Sequence, residues 1–173
     1  MVASAPGAEL AATLKAAGSR PATVTSGAMW IVVAWSDAYR LPLGVLTPAG
    51  RKAVDRVRSN CLQELMTGPA PPAVRPSDLL TPPPWPALLA RNTPGHAATP
   101  APVLIAQGTA DELVAPANSR ALTQRLCRLG DTVELRSYQH AGHFDLVEAA
   151  STDVAAWIAA RLAGRPAARS TCH

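Results

Sequence analysis

Apolar positions follow regular spacings in the second half of the chain and predict its secondary structure. Residues 102–108 form a continuous apolar run that ends at Gly108, a pattern typical of a parallel strand buried on both faces. Residues 117–129 repeat leucines at helical spacing, which predicts a helix that ends before Gly130. The expected inner side of this helix carries Leu122, Leu126 and Leu129.

Two further elements are predicted after this helix. Residues 132–138 alternate apolar and charged positions, which is typical of a strand. We expect its inward residues to be Val133 and Leu135, and its outward residues to be Glu134 and Arg136. From Ser151 the chain favours a last helix, whose apolar face is expected to hold Val154, Trp157, Ile158 and Leu162. The order strand, helix, strand, helix predicts a parallel βαβα unit and therefore an α/β fold.

The first half of the chain has a weaker pattern. Residues 6–18 favour a short helix in which Leu10 and Leu14 lie four positions apart and Gly18 ends the helix. Residues 26–39 are strongly apolar, and both a helix capped by Ser26 and a buried strand fit them.

A third helix is predicted from Thr47-Pro48, a capping residue followed by proline at the first helical position. We expect this helix to end at Gly68. Its apolar face is formed by Val54, Val57, Cys61, Leu62, Leu65 and Met66. Prolines then cluster between Pro69 and Pro102, which predicts an irregular stretch. Its part from Pro69 to Pro86 is interpreted as a rigid connector, with a recognition ligand as the alternative.

Composition and charge narrow the class of protein. The chain has 173 residues, 48% of them apolar, which is enough for a hydrophobic core. The net charge of +4 raises the question of a nucleic-acid partner. Fourteen of the 16 basic residues are arginines, but they are scattered, and aromatic residues make up only 4% of the chain. We therefore interpret the basic residues as solvated surface and expect no nucleic-acid partner.

The three cysteines exclude one kind of site and leave another question open. None of Cys61, Cys127 and Cys172 belongs to a CxxC pair, so we expect no zinc site. A disulfide between Cys127 and Cys172 and three free thiols both agree with the sequence. No apolar run is long enough to span a membrane, and no signal-peptide pattern begins the chain.

Two loops carry the candidate chemistry. Asp111 follows the strand of residues 102–108, and His143 follows the strand of residues 132–138. Loops at the carboxyl ends of adjacent parallel strands lie side by side, so we expect the carboxylate and the imidazole to meet. A histidine that acts as a general base needs such a partner. The order of acid before histidine matches the chain order of α/β-hydrolases.

Simpler interpretations of these residues stay open at this point. Asp111 is also compatible with a turn residue, and Glu112 is a rival carboxylate. Asp145 is a weaker rival that fits a helix cap, and His140 fits a structural or solvent-facing role. His143 itself is compatible with an ordinary surface histidine.

Three sequence stretches resemble a known family. The stretches PVLIAQGTADELV and YQHAGHF resemble the acid and histidine loops of α/β-hydrolases. The closing WIAARLAGRPA and the cysteine near the C-terminus resemble the secretory lipase family of actinobacteria and fungi. The resemblance implies three segments, which are a helical segment at 1–23, a helical lid-like or cap-like segment at 24–84, and the C-terminal portion of an α/β-hydrolase fold at 85–173.

The same resemblance implies a function. It predicts a carboxylic-ester hydrolase, a lipase or esterase, in which Asp111 is the triad acid and His143 the general base. Substrate contacts are expected at Trp30, Trp35 and Val114. For the apolar patch that contains the two tryptophans, core packing is the simpler alternative to an acyl pocket. The resemblance implies no cofactor and no metal, a small-molecule or lipid ester as substrate, contact with a lipid interface, and secretion.

One departure from the family pattern is large. The nucleophile of an α/β-hydrolase lies in a G-x-S-x-G turn, and no serine of this chain has glycine two positions before it. We therefore expect the chain to be a fragment that is inactive by itself. The alternatives are another α/β-hydrolase chemistry, such as that of a serine peptidase, and a non-catalytic remnant or binding module. A fragment would also leave the strand at 102–108 with an unpaired edge, which favours aggregation.

Overall fold

The computed structural model describes residues 1–17, 22–59, 73–167 and 171–172. The chain forms two compact units, one of Met1–Leu10 with Asn92–His173 and one of Ala11–Arg91. In chain order the elements are β1 (Val2–Ser4), α1 (Leu10–Ala17), α2 (Ala22–Tyr39), a 3₁₀ turn (Leu43–Val45), α3 (Pro48–Ser59), α4 (Pro76–Leu80), α5 (Trp85–Arg91), β2 (Val103–Gly108), α6 (Pro116–Arg128), β3 (Val133–Tyr138) and α7 (Asp145–Leu162).

A parallel sheet with the order β1-β2-β3 forms the centre of the first unit. β2 pairs with β1 on one side and with β3 on the other, and all six of its residues are buried. The predicted α/β fold, the two strands and the βαβα order are confirmed. β1 was not predicted, and its pairing with β2 shows that the expectation of an unpaired edge at β2 was wrong.

Alternate residues of β2 face opposite helices, as the period of a strand requires. On one face Val103 and Ile105 pack with Leu122 and Leu126 of α6. On the other face Ala106 packs with Leu146 and Ala150 of α7, beside Ala5. The sheet is therefore covered by one helix on each face, which explains why β2 is apolar throughout except at Gln107.

The prediction for α7 was wrong in two respects. The helix begins at Asp145, ahead of the predicted Ser151. Its buried residues are Leu146, Ala150 and Trp157. Ile158 and Leu162 of the predicted inner face are exposed. The packed side of the helix instead passes through Val154, which is partly buried, and Trp157.

Two smaller expectations also fail. Leu129 follows the last residue of α6 and is exposed instead of facing the core. Glu134 does not point to open solvent, because α7 covers that face of β3 and Trp157 donates a hydrogen bond of 3.1 Å from Nε1 to Glu134 Oε2.

A disulfide ties the end of the chain to α6. Cys127 and Cys172 are bonded across 45 positions of sequence. The preceding residue, Thr171, lies along the outer edge of β3, where its N–H donates to the carbonyl of Val133 at 2.6 Å. Thr171 Oγ1 accepts a hydrogen bond of 2.9 Å from the N–H of Leu135. The tail thus satisfies backbone groups that the sheet leaves unpaired at this edge.

The unit of Ala11–Arg91 is helical in its described parts. α1 begins only at Leu10, later than predicted, and α2 resolves the ambiguity at residues 26–39 in favour of a helix. α3 begins at Pro48 as predicted, with Thr47 Oγ1 accepting a hydrogen bond of 3.0 Å from the N–H of Gly50. Of its predicted face, Val54 and Val57 are buried. The predicted end at Gly68, with Cys61, Leu62, Leu65 and Met66, lies outside the described residues.

The proline-rich stretch is more ordered than predicted. Its described part contains α4 and α5, whose first turns hold Pro76 and Pro86. Proline is compatible with the first turn of a helix because the N–H that it lacks has no partner there. Trp85 of α5 is buried and stacks on Trp35 of α2, with ring centroids 6.5 Å apart. Among the described helices, none is long and apolar enough to cross a membrane.

Candidate active site

Asp111 lies in the loop that follows β2, and its side chain is 0% exposed. Its Oδ1 accepts two backbone hydrogen bonds, from the N–H of Leu113 at 2.9 Å and from the N–H of Val114 at 2.8 Å. A buried carboxylate is stable only where donors replace the lost water, and this loop supplies two of them. The sequence order Asp-Glu-Leu-Val thus folds into a turn around its own first side chain.

The loop after β3 brings His143 to this carboxylate. His143 Nδ1 lies 2.9 Å from Asp111 Oδ2, so the two residues meet as predicted. Backbone hydrogen bonds hold the two loops together at fixed distances. Thr109 N–H donates to Tyr138 O at 2.9 Å and Ala110 N–H donates to Ala141 O at 3.1 Å.

Gly108 makes this close approach possible. A Cβ at this position would lie 2.2 Å from the carbonyl oxygen of Ala141, far inside contact distance. Any larger residue would push the histidine loop away from the acid loop. The glycine that ends the apolar run therefore has a specific role, because it allows the two loops to pack closely against each other.

The hydrogen bonds indicate which nitrogen of His143 carries its proton. Each of the other partners of the Asp111 carboxylate is a donor, namely two backbone N–H groups and the side-chain amide of Gln107 at 3.2 Å. An ionised carboxylate only accepts hydrogen bonds, so His143 Nδ1 is the donor in this pair. Nε2 then keeps its lone pair and can take a proton. The side chain of His143 is 28% exposed, so part of the ring is accessible.

The other candidate residues of these two loops are exposed or make different contacts. Asp145 Oδ2 accepts a hydrogen bond of 3.2 Å from the N–H of Gly142, which braces the histidine loop at the start of α7. His140 is exposed, has a φ of 61°, and donates from its N–H to Thr109 Oγ1 at 2.9 Å. Glu112 is exposed. Asp111 is thus the carboxylate that His143 Nδ1 contacts.

The predicted substrate contacts fall in both units of the chain. Val114 belongs to the acid loop, where its half-buried side chain packs against the cluster of Ala106 and Leu146. Trp30 and Trp35 lie on α2 and are half-buried. Whether these three side chains contact an ester stays a prediction. Within the described residues, no group of three or more His, Cys, Asp or Glu side chains is placed to hold a metal ion.

Sequence reasoning missed three residues near the site. Gln107 is the polar residue within β2, and Ser119 lies on the face of α6 that is turned toward it. Phe144 was also missed. It is exposed, and its ring meets that of His143 edge-on at 5.3 Å. The sequence does contain a signal for Gln107, which is a polar residue within an otherwise apolar run. Such a side chain, inside a strand that is buried on both faces, needs a polar partner.

Comparison with known proteins identifies a family and a similar fold. The sequence pattern of the secretory lipase family matches residues 49–170. No curated protein sequence matches the chain significantly. The fold is similar to that of lipase A from Candida antarctica, with a TM-score of 0.72 and 18% sequence identity. That match covers 99% of this chain but 43% of the lipase chain, so the present sequence spans less than half of the length of that enzyme.

Proposed function

Since this chain belongs to the secretory lipase family, we propose that it supplies the acid and the base of a carboxylic-ester hydrolase. Asp111 is the triad acid and His143 is the general base. The hydrogen bond of 2.9 Å between His143 Nδ1 and Asp111 Oδ2 carries this proposal. It leaves Nε2 of the imidazole free to accept a proton, which is what a base in acyl transfer must do.

The nucleophile in this proposal comes from sequence outside the present chain. None of the serines of the chain stands in a G-x-S-x-G turn. In the first step the serine oxygen bonds to the ester carbonyl carbon while His143 Nε2 takes the hydroxyl proton. The alcohol then leaves with that proton, and an acyl-serine remains. Water attacks the acyl-serine in the same way, releases the carboxylic acid and restores the serine.

The surroundings of His143 favour esters with apolar acyl groups. Phe144 and Val147 are both large, apolar and exposed, and they lie one and four positions after His143 in the chain. Exposed apolar side chains beside a catalytic base suit a lipid ester or a lipid interface. The disulfide between Cys127 and Cys172 supports secretion, because disulfides persist in oxidising compartments.

Hydrolysis of p-nitrophenyl butyrate and p-nitrophenyl palmitate tests the proposal. For the purified chain we expect no turnover above that of His143→Ala, since no serine of the chain stands in a G-x-S-x-G turn. Turnover that His143→Ala abolishes would mean that a serine of this chain is the nucleophile. Turnover that His143→Ala leaves intact would contradict the assigned base.

A longer protein that supplies the G-x-S-x-G turn tests the acid and the base directly. There we expect Asp111→Asn to lower kcat about 10⁴-fold, the loss typical of a triad aspartate. The matched controls are Asp145→Asn, a carboxylate that braces the loop, and His140→Ala, an exposed histidine. Both controls should keep most of the activity. Equal losses in Asp111→Asn and Asp145→Asn would contradict the role of Asp111.

A further inference from the structure

Gln107 is the polar residue within a strand that is buried on both faces. It is 2% exposed, and its Nε2 lies within hydrogen-bond distance of three oxygens. These are the carbonyl oxygen of Gly108 at 3.1 Å, that of Val114 at 3.2 Å, and Asp111 Oδ2 at 3.2 Å. Burying an amide is costly unless it is hydrogen-bonded, and an apolar residue would suit the packing of β2 equally well. The amide therefore has a use beyond packing.

Ser119 binds the oxygen of this amide. It is 0% exposed, and its hydroxyl donates to Gln107 Oε1 at 2.5 Å. The rotated amide would turn Oε1 toward the three oxygens that now face Nε2, and acceptors would then oppose each other on that side. The side chains thus form a directed series in which Ser119 donates to Gln107, Gln107 donates to Asp111, and Asp111 accepts from His143.

We propose that Gln107, hydrogen-bonded to Ser119, is a positioning residue that holds the Asp111 carboxylate for His143. The inference rests on the proposed roles of Asp111 and His143 and deepens them. Two backbone N–H groups hold Asp111 Oδ1, and Gln107 Nε2 holds Oδ2 at 3.2 Å. The terminal torsion of aspartate is broad, and the Gln107 amide confines it from the side that faces His143. His143 then meets an acceptor of constant position and keeps its proton on Nδ1.

The tautomer of His143 reports this role without any catalytic turnover. Nitrogen-15 NMR of the histidine-labelled chain distinguishes Nδ1–H from Nε2–H imidazole, at alkaline pH where an unperturbed histidine with a pKa of about 6.5 is neutral. We expect the wild-type chain to hold the Nδ1–H form. Gln107→Leu should lose that dominance and populate both tautomers. Ser119→Ala, a smaller change, should shift the population in the same direction.

Control variants distinguish a loss of the positioning role from a general effect of substitution on the fold. Gln124→Leu and Ser137→Ala make the same substitutions at exposed positions and should leave the tautomer of His143 unchanged. Asp111→Asn should favour Nε2–H, as expected when a triad aspartate becomes an amide. If Gln107→Leu does not fold, Ser119→Ala decides, because it removes a single oxygen atom.

The NMR results can refute the positioning role of Gln107 and the proposed function separately. A folded Gln107→Leu or Ser119→Ala chain whose His143 stays fully in the Nδ1–H form would refute the positioning role and leave the proposed pair intact. A wild-type His143 in the Nε2–H form would refute the Asp111–His143 donor geometry, and with it the proposed function.

Discussion

A single glycine controls whether the acid and the base can meet. Gly108→Ala places a Cβ only 2.2 Å from the carbonyl oxygen of Ala141. Because the obstacle is backbone, the histidine loop has to move as a whole. We expect the free energy of unfolding to fall by about 2 kcal/mol or more, within the range of steric substitutions at crowded sites. Urea unfolding measures this loss, and the NMR signals of His143 should shift with it.

Gly44→Ala is the matched control for this substitution. A Cβ at Gly44 would meet no atom within 4 Å, and the backbone there is not left-handed. We expect a change within about 0.5 kcal/mol, as is usual for substitutions without steric conflict. A loss at Gly44 equal to that at Gly108 would show that crowding against Ala141 is not the cause.

At the scale of elements, Tyr138 links β3 to α7. Its hydroxyl donates to Asp153 Oδ2 at 3.1 Å. Burial, followed by this hydrogen bond, raises the pKa of Tyr138 above its ordinary value of 10.0. A raised pKa in the folded state means that the folded chain keeps the phenol proton after the unfolded chain has lost it. The associated stability is therefore complete below about pH 10 and is lost as the pH rises through the folded-state pKa.

Tyr138→Phe tests this linkage. Near pH 8 we expect the variant to be less stable by about 1 kcal/mol, the net value of one hydrogen bond. Above about pH 10 the gap should close, because phenylalanine has no proton to lose. Unfolding free energies at the two pH values measure the difference. A gap that stays constant with pH would contradict the assignment, and Asp153→Asn should remove part of the effect.

The periodicity of each element explains how much of the fold could be predicted from the sequence. β2, α6 and β3 were predicted because each has a clear period, and the βαβα order followed from them. β1 was missed because Val2–Ser4 is too short to have a period. α4 and α5 replace part of the predicted irregular connector because their prolines lie in the first turn, where proline is compatible with a helix.

The candidate site was predictable only in part, for a physical reason. Asp111 and His143 lie in loops at the carboxyl ends of parallel strands, a position that topology alone identifies. Gln107 and Ser119 lie inside elements that the apolar residues predict. A polar residue does not contribute to that pattern, so the pattern gives it no role. Their roles depend on contacts between β2 and α6 that follow from packing and not from local pattern.

At the scale of the whole molecule, the disulfide between Cys127 and Cys172 closes a long loop. The two residues are 45 positions apart, and the chain-entropy model predicts about 4 kcal/mol of stabilisation for such a loop. We expect Cys172→Ser to lose 2 to 4 kcal/mol in urea unfolding, a loss typical of native disulfides. Reductant should cause the same loss in the wild type and none in the variant. A wild-type stability that reductant leaves unchanged would contradict the prediction.

The two outer strands of the sheet differ in how their edges are covered. The tail at Thr171 pairs with β3, whereas within the described residues β1 pairs only with β2. The carbonyl of Met1 accepts from Leu104 N–H and Ala5 N–H donates to the carbonyl of Ala106, so the backbone of Ser4 is turned away from β2. An unpaired strand edge is a template for another chain. We therefore expect the purified chain to self-associate through β1.

Ser4→Pro tests this edge because it removes an outward N–H without touching the pairing to β2. Proline is tolerated at a strand edge on the side that faces away from the sheet. We expect sedimentation velocity to show a smaller associated fraction for Ser4→Pro at equal stability. Ala3→Pro is the matched control, since it removes an N–H directed at β2 and should lower stability instead. Unchanged association in folded Ser4→Pro would exclude β1 as the contact and direct attention to the exposed apolar side chains of Phe144 and Val147.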